Sequence, residues 1–352
     1  MKSENNRQAI TVLRILDAAA NRAREGLRVV EDCVRFGLDD RHLTELCKQL
    51  RHDLAAALAP IPQQHLLAAR ETQADVGTAV STPSELKRAD LAAVLTANFL
   101  RLEEAVRSLE EIGKIDNPAM AAQLEQIRYR IYTLHRAVAT TRTSLDRLAD
   151  ARLYVLLDGR ESVDQFERVV RELIAAGVHV IQLRDKRLDD RRLLERARRL
   201  RGLTEGTSTL FIMNDRPDLA ALARADGVHV GQEELSVKDA RGIVGPEALV
   251  GVSTHTIEQA RQAVLDGANY LGVGPTFPSG TKRFDHFPGV DLLRAVAAEI
   301  RLPAFAIGGI DGENVCQVKA AGFTRVAVGG AIAEAGNPGD IARKLREYLV
   351  NA

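Results

Sequence analysis

Tryptophan is absent from this 352-residue chain, and only 4% of its residues are aromatic, so a surface for stacking bases is poorly supplied. Charge of one sign is missing too: 48 basic residues face 48 acidic ones. No global field draws nucleic acid or an anionic membrane, and an anion must be met by a local cluster. Cys33, Cys47 and Cys316 are too few and too scattered for a disulfide framework or a CxxC metal site, and they read as thiols. Long apolar runs are lacking, and the start Met1-Lys2-Ser3-Glu4 leads into a charged amphipathic segment. The expectation is a cytoplasmic protein with small-molecule substrates and neither nucleic acid nor membrane as partner. A homo-oligomer stays open.

Glycine is scarce in one half only. Gly26, Gly37, Gly77 and Gly113 are the four in the first 150 residues, and the other 22 follow. At about 100 to 200 residues per domain, two domains are expected, 1–145 and 151–352. In the first, Leu16, Ala20, Ala23, Leu27, Val30 and Val34 recur at helical steps, as do Leu43, Leu46, Leu50 and Leu54, then Leu124, Ile127, Ile131, Leu134 and Val138. Breaks at Gly37, Pro60 and Pro62, Pro83 and Pro118 cut this half into four or five helices of an all-α bundle. A faint repeat runs through it: Glu25 to Asp32 is echoed by Glu104 to Glu111, each placing Glu, Arg and an acid on one helical stripe. A solvated ion-pair ladder explains it as well as a site does. The polar stretch Arg70 to Thr78 is either a functional loop or a plain connection.

From Arg152 on, β-branched runs alternate with helical segments. The candidate strands are Leu153 to Leu157, Val178 to Leu183, Thr209 to Met213, Gly227 to Val230, Leu249 to Val252, Tyr270 to Val273, Ala304 to Ile307 and Arg325 to Val328. Regular strand–helix alternation requires a parallel sheet. Eight pairs in about 200 residues fit a compact (β/α)8 TIM barrel, so the fold class is α/β with a preceding helical bundle. An open doubly wound sheet is the competitor, but it would gather its polar signals at one switch point. Here they follow nearly every strand.

In such a barrel the loops after the strands share one mouth. Gln182-Leu183-Arg184-Asp185-Lys186 puts Gln182, Arg184 and Lys186 on one side of a strand. Inward charge at a strand exit is costly unless an anion compensates it. Asn214-Asp215 and Gly231-Gln232-Glu233-Glu234 bring acids beside those cations, which suits Mg2+ with substrate phosphates completing the shell. The bland alternative is that Asp215 caps the helix starting near Pro217. Gly274 to Lys282 looks like a closing loop for an anion, and the pairs Gly308-Gly309 and Gly329-Gly330 look like a phosphate cup. Two anion sites follow, suited to a diphosphate and a monophosphate. His179 and His229 lie within strands and read as core residues; no nucleophile partners them, His255 or His286.

These motifs, with Gly227 to Gln232, Gly251 to Thr256 and Ile307-Gly308-Gly309-Ile310, resemble the thiamine phosphate synthase family over nearly all of the second half. The resemblance implies a Mg2+-dependent transferase in thiamine biosynthesis that joins hydroxymethylpyrimidine diphosphate to thiazole phosphate by dissociative alkyl transfer. It implies that Gln182, Arg184, Lys186 and Asn214 hold the pyrimidine and its diphosphate, with Ser253 and Lys282 in contact. Arg184, Lys186 and Lys282 stabilise the departing diphosphate. Asp215 and Glu234 bind Mg2+, and Ser279, Thr281, Gly308 or Gly309 and the Gly329-Gly330 turn receive the thiazole phosphate. Glu234 stands where the family usually has Asp, and Gly330 where Ser is common. The first half resembles a helical domain fused ahead of some bacterial members, through Asn21 to Arg28 and Asp75 to Thr78. That implies a hydroxymethylpyrimidine phosphate kinase, although no glycine-rich nucleotide loop is present; a dimerisation or regulatory bundle is the alternative. For the barrel, a thiazole tautomerase and a non-catalytic sensor of thiamine precursors are the rivals.

Overall fold

A computed structural model describes residues 2–77, 87–278, 287–333 and 335–350, with the side chains of 2–5 and 350 set aside. The chain divides into two units, Met1–Val138 and Ala139–Ala352, within a single helix. The first unit is helical: α1 (Lys2–Asp32), α2 (Arg41–Leu58), α3 (Gln63–Ala69), α4 (Leu91–Asp116) and the first two thirds of α5 (Pro118–Arg147). Gly37 does not break the chain as expected. It lies in a π-helical turn, Cys33–Leu38, that prolongs α1, and the end comes two residues later at Asp39, in the left-handed region at φ 55°. Asp40 then caps α2 by accepting from the Leu43 N–H. Pro83 lies outside the described residues.

The apolar stripes are buried as their spacing demands, with Ala23, Leu27 and Val30 on α1, Val34 in the turn that prolongs it, and Phe99, Leu102, Val106 and Leu109 on α4 wholly or almost wholly inside. Gly26 lets α1 approach α4, since a Cβ there would lie 3.3 Å from the Asn98 carbonyl oxygen. The sequence repeat is a structural repeat. Glu31 is buried and bound by Arg51 of α2 at 2.5 Å, with Arg28 at 3.7 Å. Glu110 is buried and bound by Arg128 of α5 and by Arg107, each at 2.7 Å. In both copies the acid just before the stripe's last member is taken inside, with a guanidinium from the next helix to pair it, while the stripe's own acids Asp32 and Glu111 stay exposed.

The second unit is a closed barrel of eight parallel strands: β1 (Leu153–Leu157), β2 (Val180–Leu183), β3 (Leu210–Asn214), β4 (Gly227–Val230), β5 (Leu249–Thr254), β6 (Tyr270–Val273), β7 (Ala304–Ile307) and β8 (Val326–Val328), with β8 returning to β1. The crossover helices are α6 (Val163–Ala175), α7 (Asp190–Thr204), α8 (Pro217–Ala223), α9 (Val237–Val244), α10 (Ile257–Asp266), α11 (Gly289–Glu299) and α12 (Val315–Ala320), closed by α13 (Gly330–Ala333) and α14 (Pro338–Val350). β2 starts two residues later than its β-branched run suggests. Gly177, at φ 76°, turns the chain out of α6, and the Val178 N–H is spent on the Leu173 carbonyl, which closes the helix instead of pairing a strand.

Alternation sets which residues face inward. Tyr154, Val180, Ile212, Leu249, Tyr270, Phe305 and Ala327 form one central cluster, with Leu148 and Ala151, just ahead of β1, packed against the side where the strands begin. Counting on by twos brings Gln182 and Arg184, Asn214, His229 and Gly231, Ser253, Ile307 and Gly329 to the same interior at the opposite end.

Candidate active site at the barrel mouth

β2 delivers three polar groups in graded exposure. Gln182 is buried and its Nε2 donates to the Tyr154 hydroxyl at 2.8 Å; Arg184 is half-buried; Lys186, past the end of the strand, is exposed. The loop between them is anchored by Asp185. Its carboxylate accepts from the backbone N–H groups of Gly159 at 3.0 Å, Arg187 at 2.7 Å and Leu188 at 3.1 Å, and from the Arg187 guanidinium. Burial pushes the Asp185 carboxyl up, but those donors outweigh it and hold it below the usual range. Asp185 was missed as a positioning residue, although its place inside the Gln182 to Lys186 run is the signal that could have found it.

Asp215 follows β3 with its backbone at φ 59°, a left-handed geometry that costs a non-glycine residue about 1 kcal/mol or more. The helix-capping alternative is excluded: Arg216 is the N-cap of α8, without a side-chain cap. Instead Asp215 is half-buried beside Glu234, and its carboxyl is raised by burial first and by the Glu234 charge second. The charges of Lys186 and Arg184, with a hydrogen bond from Asn214, pull the other way. One carboxylate therefore feels residues of three loops, which brings Arg184, Lys186, Asn214, Asp215 and Glu234 into one electrostatic neighbourhood. Glu234 folds back onto its own loop, where a Cβ on Gly231 would lie 2.3 Å from its Oε2. Two repelling carboxylates of hard oxygen donors fit a divalent cation, but among the described residues no three His, Cys, Asp or Glu side chains gather to hold one. Any such ion needs further oxygens from a ligand.

Ser253 of β5 faces the same interior, half-exposed, with its Oγ 2.9 Å from His229 Nε2 and its carbonyl receiving Gln232 Nε2 at 2.6 Å. His229, expected to be core, is buried, yet it joins the site through hydrogen bonds. Burial first, and the Arg184 charge second, lower its pKa to about 4. Tyr154 and Tyr270, which no polar motif marks, line this interior, and burial pushes the Tyr154 hydroxyl well above its ordinary range and Tyr270 likewise.

Across the barrel, the β6 and β7 loops are pinned together. Thr276 donates its N–H to the Ile307 carbonyl and Phe277 to that of Gly308, at 2.9 Å each. Gly308 and Gly309 have φ of 101° and 63°, and a Cβ on Gly309 would lie 2.7 Å from the Phe277 and Pro278 carbonyls. Only glycine fits between those strands of backbone. Gly329 follows β8 and its carbonyl accepts from the backbone N–H groups of Ile332 and Ala333, so Gly330 opens α13. Ser279, Thr281 and Lys282 lie outside the described residues.

In the helical unit, Arg24, Glu25, Arg28 and Val29 of α1 with Arg51, Leu54 and Ala55 of α2 line a cavity of about 530 Å³. The Asn21 to Arg28 motif thus edges a recess carrying three guanidinium groups. Among the described residues no helix is long and apolar enough to cross a membrane.

A family model described as thiamine monophosphate synthase matches residues 153–332, and one described as the ThiD2 family matches residues 14–137. The thiamine-phosphate synthase of Rhodopirellula baltica is 47% identical over 98% of this chain and 94% of its own length. That of Synechocystis sp. is 42% identical over 96% of each. Among solved structures, thiamine phosphate pyrophosphorylase from Pyrococcus furiosus aligns with a TM-score of 0.52 at 32% identity, covering 57% of this chain and 96% of its own. With two curated relatives matching both units end to end and the barrel carrying the mouth just described, the chain belongs to the thiamine-phosphate synthase family of transferases.

Proposed function

We propose that the barrel mouth binds hydroxymethylpyrimidine diphosphate and thiazole phosphate and joins them, releasing diphosphate. The observation that carries this reading is the convergence on Asp215: two cations, an amide and a second carboxylate from the β2, β3 and β4 loops act on one half-buried carboxyl. A diphosphate placed there meets Arg184 and Lys186, and its departure separates charge that those side chains offset. The carbon–oxygen bond between the pyrimidine methylene and the diphosphate breaks with both electrons leaving on oxygen. The thiazole nitrogen then gives its lone pair to the methylene carbon, and no proton moves. Gln182, Asn214 and Ser253 hold the pyrimidine, and the backbone at Gly308, Gly309, Gly329 and Gly330 receives the thiazole phosphate, with Ser279, Thr281 and Lys282 assigned to the closing loop. Asp215 and Glu234 are the residues to hold Mg2+, which, when bound with the diphosphate, neutralises the charge of the leaving group.

A steady-state assay of the full chain with both substrates and Mg2+ tests this. Thiamine phosphate and diphosphate formed in equal amounts are expected. Binding without diphosphate release speaks for a sensor, and isomerisation of the thiazole alone for a tautomerase.

The α1–α2 cavity supports a second activity in the helical unit. Arg24, Arg28 and Arg51 suit a phosphorylated pyrimidine, and phosphorylation there would supply the barrel's diphosphate substrate. ATP-dependent conversion of the pyrimidine monophosphate, abolished by Arg24→Ala with Arg28→Ala, is the expected result.

A further inference from the structure

Five side chains from five strands form one unbroken file of hydrogen bonds beneath the mouth. Gln182 Nε2 lies 2.8 Å from Tyr154 Oη, Tyr154 Oη 3.1 Å from Tyr270 Oη, Tyr270 Oη 3.3 Å from His229 Nδ1, and His229 Nε2 2.9 Å from Ser253 Oγ. The middle of the file is sealed, with Tyr154 and Tyr270 2% exposed and His229 8%. Space for it is cut by glycines: a Cβ on Gly251 of β5 would stand 2.1 Å from Tyr270 Cζ on the adjacent β6, and one on Gly272 of β6 3.2 Å from His229 Cε1, two strands away on β4.

Each hydroxyl has one proton to give, and so has a neutral imidazole whose two partners are hydroxyls. The direction of one bond therefore fixes all the others. Gln182 donates to Tyr154, so Tyr154 donates to Tyr270 and Tyr270 to His229 Nδ1. His229 then carries its proton on Nε2 and donates to Ser253. Two groups are left over at the ends, the Gln182 carbonyl oxygen as an acceptor and the Ser253 hydroxyl hydrogen as a donor. Reversal halfway would set two donors or two acceptors face to face in a dry interior, so the file reverses as a whole or not at all.

Building on the assignment of the pyrimidine to Gln182 and Ser253, we propose that Tyr154, Tyr270 and His229 are positioning residues that make the site specific for an amine-bearing heterocycle, by fixing Gln182 as the acceptor of the amine and Ser253 as the donor to an acceptor atom of the same substrate. A pyrimidine with an oxo group in place of the amine presents an acceptor to Gln182 and can be met only by turning the amide, both phenols and the histidine tautomer together.

The test measures kcat/KM of the full chain for the 4-amino pyrimidine diphosphate and for its 4-oxo analogue. The wild-type protein is expected to prefer the amine by ~100-fold or more. Tyr154→Phe and Tyr270→Phe each keep the ring volume and free Gln182 to turn. Each is expected to lower that preference at least about tenfold, the loss on the amine falling on its KM, with the KM for thiazole phosphate unchanged. An unchanged preference in both variants overturns the proposal. Nitrogen NMR of the histidine rings reads the file without turnover: protonation of His229 at Nε2 is expected, and protonation at Nδ1 overturns it. Failure of the wild-type protein to use the amino substrate at all would instead count against the site assignment, while the tautomer still reports on the file.

Discussion

Asp215 holds a backbone conformation at φ 59° that an L-residue avoids, and it places its carboxyl beside another carboxylate. Both features cost stability and neither caps a helix, as the proposed role in holding a ligand requires. Asp215→Ala and Lys186→Ala are each expected to cut turnover by roughly a hundredfold or more while circular dichroism and melting stay near those of the parent; near-normal turnover in either would refute their roles. His229 gives a pH signature. Its folded pKa of about 4 lies below the ordinary 6.5, so the folded ring is neutral while the unfolded ring takes up a proton as pH falls below 6.5. Stability is unaffected above that pH and declines between pH 6.5 and 4, by about 3 kcal/mol in all. Urea titrations across that window should show a shallower decline in His229→Gln. That Arg184, Lys186 and Asp215 would meet was legible in the sequence because charge at a strand exit is anomalous, and Asn214 came with them as the neighbour of Asp215. Tyr154 and Tyr270 were not, because a tyrosine among apolar neighbours has the pattern of plain core until its hydroxyl is seen to meet another.

The strands were legible from their β-branched runs, and the discrepancies are at ends, where a single hydrogen bond decides. Val178 closes α6, so β2 begins at Val180. The same closure recurs after α8, where Arg224 takes the left-handed position at φ 54° that Gly177 takes after α6. Arg224→Gly removes that strain and is expected to stabilise the chain by about 1 kcal/mol in urea titrations. Glycines on the inward face of strands have the opposite meaning. Gly251→Ala sets a methyl against the rigid, buried Tyr270 ring, and a cost of about 2 kcal/mol or more is expected, with loss of pyrimidine binding as Tyr270 is displaced from His229. An inward glycine next to a large inward residue on the neighbouring strand was a signal the sequence carried and periodicity alone could not interpret.

At the scale of the chain, a helical part followed by a barrel was foreseen from glycine usage, and the contacts divide the chain at Val138, inside α5. Helical periodicity runs through that point without interruption, so nothing in the sequence marks it. Within the first unit the repeat keeps Glu110 buried under Arg128, and burial raises that carboxyl while Arg128, Arg107 and Lys114 bring it below its ordinary range. Arg128→Met strips the charge that Glu110 was buried against and is expected to destabilise the helical unit by about 3 kcal/mol, seen as an earlier unfolding transition in calorimetry while diphosphate release by the barrel persists. The proposed reaction turns on where the leaving group sits. A crystal structure of the chain with Mg2+ and a non-cleavable pyrimidine diphosphate should show the diphosphate against Arg184 and Lys186, with the ion between it and Asp215. A diphosphate bound elsewhere, with those two side chains turned to solvent, would contradict the account.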